Sequence, residues 1–96
     1  MNDSIDISIA KEKVQAILDL CLGSLCEDAV SEVVHYIEHN EPEIAFEGLF
    51  IELMQLGVLP KNVDKTSCIE LGEDLNLDSE SVLDDEFWSK LIVFLE

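Results

Sequence analysis

Apolar residues recur every three or four positions through most of this 96-residue chain, and helix-breaking residues separate the recurrences. This spacing places apolar side chains on one face of a helix, whereas a half-buried strand needs strict alternation. Alternation occurs only weakly, in the N-terminal stretch DSIDISIA. The pattern therefore predicts an all-α fold, a compact bundle of four to five helices in a single domain covering residues 1–96.

The first two helices are delimited by capping and breaking residues. We expect the first helix to begin after a capping Ser8 and to stop at Gly23. The second is expected to run from about Ser24 to His39, with Asn40 in the left-handed conformation that often ends a helix. The residues between these limits supply one apolar stripe per helix.

A third helix is expected from Pro42 to Gly57, because proline suits the first helical position and glycine the position after the last. Its apolar residues surround the helix on more than one side, which predicts a central helix. Gly48 in the middle of it predicts a close approach by another helix.

The segment VLPKNVDK is expected to be a loop. Ser67 and Glu70 then have the spacing of a capping box, which predicts a short fourth helix. The stretch LDSESVLDDE has no helical periodicity, and a last helix is expected to start at Asp84 or Asp85 and to continue to the C-terminus.

Acidic residues outnumber basic ones by 22 to 5, giving a formal net charge of -17, and arginine is absent. Nine acids lie between Val14 and Pro60, and eight between Thr66 and Ser89, with no lysine or arginine in either segment. Such a charge repels nucleic acid and anionic membranes and attracts cationic surfaces. We therefore expect a basic protein partner, with no direct nucleic-acid or membrane contact.

Two groups of acids are the candidate partner-binding residues. The first surrounds the corner HYIEHNEPEIAFEGLF, residues 35–50, and the second precedes the last helix. In order of preference, the first group is Glu38, Glu41, Glu43 and Glu47, then Asp28 and Glu32; the second group is Asp78, Glu80, Asp84 and Asp85. Aromatic residues that could anchor such an interface are Tyr36, Phe46, Phe50 and Trp88.

Metal binding and catalysis have weaker support. His35 and His39 are one helical turn apart, as zinc ligands often are, but a zinc site needs a third and usually a fourth ligand. The sequence DLNLDSESVLDD half-matches a calcium-binding EF-hand loop, yet Ser79 replaces the required glycine and Asp85 the bidentate glutamate. No nucleophile motif or glycine-rich phosphate loop is present, so we expect neither a metal, a cofactor nor an enzymatic activity.

The stretch LGEDLNLDSES is similar to the acyl carrier protein signature, in which a serine after aspartate carries a phosphopantetheine arm. That family has leucine after the serine, whereas Glu80 follows here. A carrier function is therefore a minor alternative, as is metal binding.

The three cysteines, Cys21, Cys26 and Cys68, are an odd number without a CxxC pair. The N-terminal residues lack the basic and apolar regions of a signal peptide, and no apolar run has the length of a membrane span. These features predict a cytoplasmic protein whose cysteines are free thiols and mostly buried.

Residues 28–78 resemble small acidic immunity proteins of bacterial toxin-immunity systems, including contact-dependent growth inhibition and the Maf-type polymorphic toxins. The likeness lies in VVHYIEHNEPEIAFEGLFIELMQLG, followed by a loop and TSCIELGEDLNLD. It implies a non-enzymatic inhibitor that binds a toxin domain, often a basic nuclease, and blocks its active site or substrate-binding surface. The alternative function is a nucleic-acid mimic or other acidic adaptor that binds several basic proteins.

Overall fold

The computed structural model describes residues 6–80, 83 and 85–96. Five α-helices occur in these residues, and no strand does: α1 (Ile7–Cys21), α2 (Glu27–Glu38), α3 (Pro42–Leu56), α4 (Lys65–Asp74) and α5 (Phe87–Leu95). The predicted all-α bundle of four to five helices is confirmed. None of the described helices is both long enough and apolar enough to cross a membrane.

Helix α3 is the central element of the bundle, as predicted, and packs against α1, α2 and α5. The ring centroids of Phe46 and Phe50 lie 4.7 Å apart, and Phe46 meets Phe87 of α5 edge to face at 6.3 Å. The apolar side chains of α3 with no exposed surface are Ala45, Phe46, Leu49, Phe50 and Leu53. Phe46 and Phe50 therefore belong to the core and are not available as interface anchors.

One cluster of buried apolar residues joins all five helices. Removal of this surface from water is the main favourable contribution to folding. Members outside α3 include Val14 and Leu18 of α1, Val33 and Ile37 of α2, Cys68 and Leu71 of α4, and Leu91 and Leu95 of α5. The peripheral helices thus use one face each for packing.

Asn40, which follows α2, has the predicted left-handed conformation, and Gly57 ends α3 at the predicted position. Asn40 and Gly57 have positive φ angles of 60° and 69°, in the left-handed region. The Gly57 N–H donates to the carbonyl of Leu53 at 2.9 Å, which satisfies one of the last acceptors of α3. Pro42 is the first residue of α3, where its missing N–H costs no helical hydrogen bond.

Two predicted N-caps are wrong by two or three residues, because an aspartate precedes each serine. The Asp6 carboxylate accepts the Ser8 N–H at 2.8 Å, so Asp6 caps α1 and Ser8 lies inside the helix. The Asp64 carboxylate accepts the Ser67 N–H at 3.2 Å and the Ser67 hydroxyl at 2.5 Å, and Asp64 caps α4. The hydrogen bonds from the Ser67 hydroxyl and N–H hold the pKa of Asp64 below its usual value.

The starts of two helices also differ from the prediction. Helix α2 begins at Glu27, after Cys26, and not near Ser24. Helix α5 begins at Phe87, after Glu86. The proposed start at Asp84 lies outside the described residues, and Asp85 is in a turn.

The close approach predicted at Gly48 occurs instead at Gly72. A Cβ on Gly72 would lie 2.5 Å from Cζ3 and 3.0 Å from Cη2 of Trp88, whereas a Cβ on Gly48 has Leu83 Cδ1, at 4.0 Å, as its nearest described neighbour. The indole of α5 thus packs directly on the backbone of α4. At Gly72 a side chain is excluded by contact, while at Gly48 it is not.

We expect Gly72→Ala to lower the free energy of unfolding by about 1–3 kcal/mol, because Trp88 must move to admit the methyl group. The matched control, Gly48→Ala, should raise it by up to about 1 kcal/mol, since alanine is the better helix former. Urea denaturation followed by circular dichroism measures both changes. Equal changes in the free energy of unfolding would show that contact with Trp88 is not the reason why position 72 requires glycine.

Candidate functional site

The solvent side of α2 carries acids along its whole length. Glu27, Asp28, Glu32 and Glu38 are all exposed, and we call these four residues the α2 acidic face. The opposite side of the helix packs into the core through Ala29, Val33 and Ile37. The amphipathic pattern of α2 thus separates apolar from acidic residues, and it brings three of the predicted contact acids, Asp28, Glu32 and Glu38, onto one surface.

The acids at the start of α3 are less accessible. Glu41 and Glu43 are half-buried where α3 follows the turn at Asn40. A lysine also reaches this corner, because Lys11 Nζ of α1 donates a hydrogen bond to Asn40 Oδ1 at 2.8 Å. The sequence has no lysine within this segment, but the fold supplies one from α1. The corner is therefore less uniformly negative than the sequence indicates.

Glu47 does not lie on the acidic surface, and its prediction as an exposed contact residue is wrong. Its side chain has no exposed surface, and Oε2 accepts the backbone N–H of Leu83 at 2.8 Å. A buried carboxylate requires hydrogen-bond partners, because loss of hydration is otherwise costly. Glu47 therefore joins α3 to the segment before α5 and has a structural role.

The described members of the second acidic group, Asp78, Glu80 and Asp85, are exposed. Asn76, with a φ of 65°, follows α4, and its carbonyl accepts the N–H of Glu80 at 2.9 Å. This turn presents Asp78 and Glu80 to solvent. Asp84 lies outside the described residues.

The histidine pair lies at the C-terminal end of α2. Both rings are exposed, with centroids 4.1 Å apart, and His39 Nδ1 lies 2.7 Å from the carbonyl oxygen of His35. In the described part of the chain, no group of three or more His, Cys, Asp or Glu side chains is arranged to hold a metal ion. A site with three or four protein ligands, as in structural and catalytic zinc centres, is therefore not formed by these residues.

Comparison with known proteins gives no match: no protein-family model, curated protein or solved structure is significantly similar to the chain. The function is therefore inferred from the chemical properties of the described surface. Of these, the α2 acidic face is the most extended arrangement of like charges on one described helix.

Two of the three cysteines are buried. Cys21 and Cys68 have relative exposures of 0% and 1%, whereas Cys26, which precedes α2, is exposed. Burial raises the pKa of the Cys21 thiol, and it raises the pKa of Cys68 to about 12, with smaller contributions from Cys21 and Asp64. The prediction of mostly buried free thiols is confirmed, with Cys26 as the exception.

We expect iodoacetamide in mildly alkaline solution to modify Cys26 and to leave Cys21 and Cys68 unmodified, because the reactive species is an accessible thiolate. Peptide mass spectrometry of the native and urea-unfolded protein measures the modified residues. Unfolding should make all three cysteines reactive. Rapid labelling of Cys68 in the native protein would contradict its burial.

We expect Glu47→Ala to lower the free energy of unfolding by about 1–3 kcal/mol, because the Leu83 N–H loses its acceptor. Glu47→Gln should cost less, since glutamine keeps an acceptor oxygen. The matched control on the same helix is Glu52→Ala, at a half-buried position, which should change stability by no more than about 0.5 kcal/mol. If Glu47→Ala and Glu52→Ala are equally stable in urea denaturation, the hydrogen bond contributes nothing.

Proposed function

We propose that this chain is an immunity protein of the bacterial cytoplasm that binds and neutralises a cognate toxin domain, of a basic nuclease type, through its α2 acidic face. The observation that carries the proposal is the exposure of Glu27, Asp28, Glu32 and Glu38 on a helix with no lysine or arginine. The resemblance of residues 28–78 to small acidic immunity proteins supplies the partner class.

Electrostatics supports this choice of partner. A nuclease presents lysine and arginine side chains to the phosphates of its substrate, and an acidic surface competes for the same side chains. Complementary fields accelerate encounter, to on the order of 10⁸ M⁻¹s⁻¹ or more at low salt. Rapid capture suits an inhibitor that must act before its target reaches nucleic acid.

The fold supports the same surface. Helix α2 packs against α3, and its Val33 and Ile37 belong to the buried apolar cluster, so the outer acids of α2 are held on a well-packed element. Tyr36, which is half-buried on α2, is available as a partly exposed aromatic contact beside the acids, unlike Phe46 and Phe50.

Glu41 and Glu43 extend the negative surface at the adjoining corner. Asp78, Glu80 and Asp85 provide the second acidic surface.

Inhibition is tested with the basic protein encoded in the reading frame adjacent to this one. The proposal requires that co-expression of the present chain restores growth of cells that produce that protein, and that the two proteins form a stoichiometric complex. Absence of both protection and binding would refute the proposal. Binding to several unrelated basic proteins, with steep loss between low and moderate salt, would instead identify the alternative nucleic-acid mimic.

The triple variant Asp28→Asn, Glu32→Gln, Glu38→Gln removes three negative charges from α2. We expect it to lower the rate constant for association with the cognate toxin domain by about tenfold or more at low salt. The matched control removes the same charge from exposed positions of α1 and α4, with Glu12→Gln, Glu70→Gln and Glu73→Gln. Stopped-flow or surface plasmon resonance measurements over a range of salt concentrations compare the two. The difference between the association rate constants of the two triple variants should decrease as salt screens the charges. Equal rates for the two triple variants would place the binding surface elsewhere than on α2.

A further inference from the structure

The rings of His35 and His39 lie side by side on the outer surface of α2. Their centroids are 4.1 Å apart and their planes are inclined by 36°. Both side chains are exposed, and no described element covers them. The two imidazoles are thus adjacent and open to solvent, which is the basic requirement for a shared ligand.

A hydrogen bond orients one of the two rings. His39 Nδ1 lies 2.7 Å from the carbonyl oxygen of His35. A carbonyl oxygen only accepts, so Nδ1 carries the hydrogen and donates it, and the neutral ring then has its lone pair on Nε2. Metal-binding histidines in proteins are prepared in the same way, by donation of the second ring N–H to a carbonyl or carboxylate.

The surrounding charge favours a cation. Glu32 and Glu38 are exposed on the same helix, and a negative field raises the local concentration of positive ions. Lys11 opposes this field, since its ammonium group is held at Asn40 Oδ1, next to His39 in the chain. Imidazole nitrogen selects Cu²⁺, Ni²⁺ and Zn²⁺ over Mg²⁺ and Ca²⁺, which prefer oxygen ligands.

We propose that His35 and His39 form a two-imidazole binding site for a divalent transition-metal ion of the Cu²⁺, Ni²⁺ or Zn²⁺ class. With bonds of about 2.0–2.1 Å to each nitrogen, the ion requires the two donor atoms to lie about 3 Å apart. The ring centroids lie 4.1 Å apart and both side chains are exposed, which places the two rings within reach of one ion. Water completes the coordination, because the described residues contain no cluster of three ligands. Such a site is exchangeable and differs from the closed zinc site that the sequence fails to supply.

The test titrates NiCl₂, CuCl₂ or ZnCl₂ alone into the full chain at physiological ionic strength, with excess MgCl₂ to occupy the carboxylates. Isothermal calorimetry gives the affinity, and the imidazole proton signals in NMR spectra locate the ion. His35→Ala and His39→Ala should each weaken binding at least about tenfold, since changes in residues that only orient a ligand already cost about 10- to 100-fold. Circular dichroism verifies that each variant remains helical.

Cys26→Ser is the matched control, because Cys26 is the exposed thiol among the three and could bind the same ions. Its affinity should equal that of the original chain. Loss of binding in Cys26→Ser, unchanged binding in His39→Ala, or equal competition by Mg²⁺ would each overturn the proposal. The proposed metal site does not depend on the immunity function. The titration uses only this chain and a metal salt, so its result is independent of whether the chain binds a toxin.

Discussion

Burial of apolar surface around α3 is the interaction on which the rest of the structure depends. A chain with a formal net charge of -17 repels itself in the compact state, and its few lysines neutralise little of that charge. The opposing contribution is the apolar cluster centred on Phe46, Leu49 and Phe50, to which all five helices contribute. Because the apolar residues of α3 pack against α1, α2 and α5, these neighbours cover much of α3, and each neighbour turns its polar side outwards. The acidic surface of α2 is therefore a consequence of how the core is closed.

The parts of the fold that depend on local chemistry can be predicted from the sequence. Asn40, Pro42 and Gly57 have the backbone properties that their positions require, whatever packs beside them. The first residues of α1 and α4 are predicted less accurately from the sequence, because an aspartate and a serine two or three residues apart can each cap the helix. Asp6 and Asp64 take that position, and in each case a serine N–H is the donor. The error lies in the choice between two suitable caps and leaves the existence of the helices unaffected.

The parts that depend on distant residues cannot be predicted in this way. The glycine required for close packing is Gly72 and not Gly48, because the indole of Trp88, sixteen positions further along the chain, lies against α4. Lys11 reaches Asn40 across 29 positions. The exposure of Asp28, Glu32 and Glu38, by contrast, follows from the apolar stripe of α2, since periodicity alone assigns the two sides of an amphipathic helix. Glu47 was misplaced because α3 has no polar side from which its orientation could be read.

Carboxylates have two different roles in this molecule. Glu47 is buried and stabilises the fold, whereas the acids of α2 are exposed. A buried carboxylate is retained where its hydrogen bonds offset the loss of hydration. Glu47 Oε2 accepts the N–H of Leu83, 36 positions away, and so ties Leu83 to α3. The exposed acids of the α2 acidic face, in contrast, retain their hydration and can meet an external cation. In a chain so rich in acids, burial and hydrogen bonding, and not residue type, separate the carboxylates that stabilise the fold from those that can bind a partner.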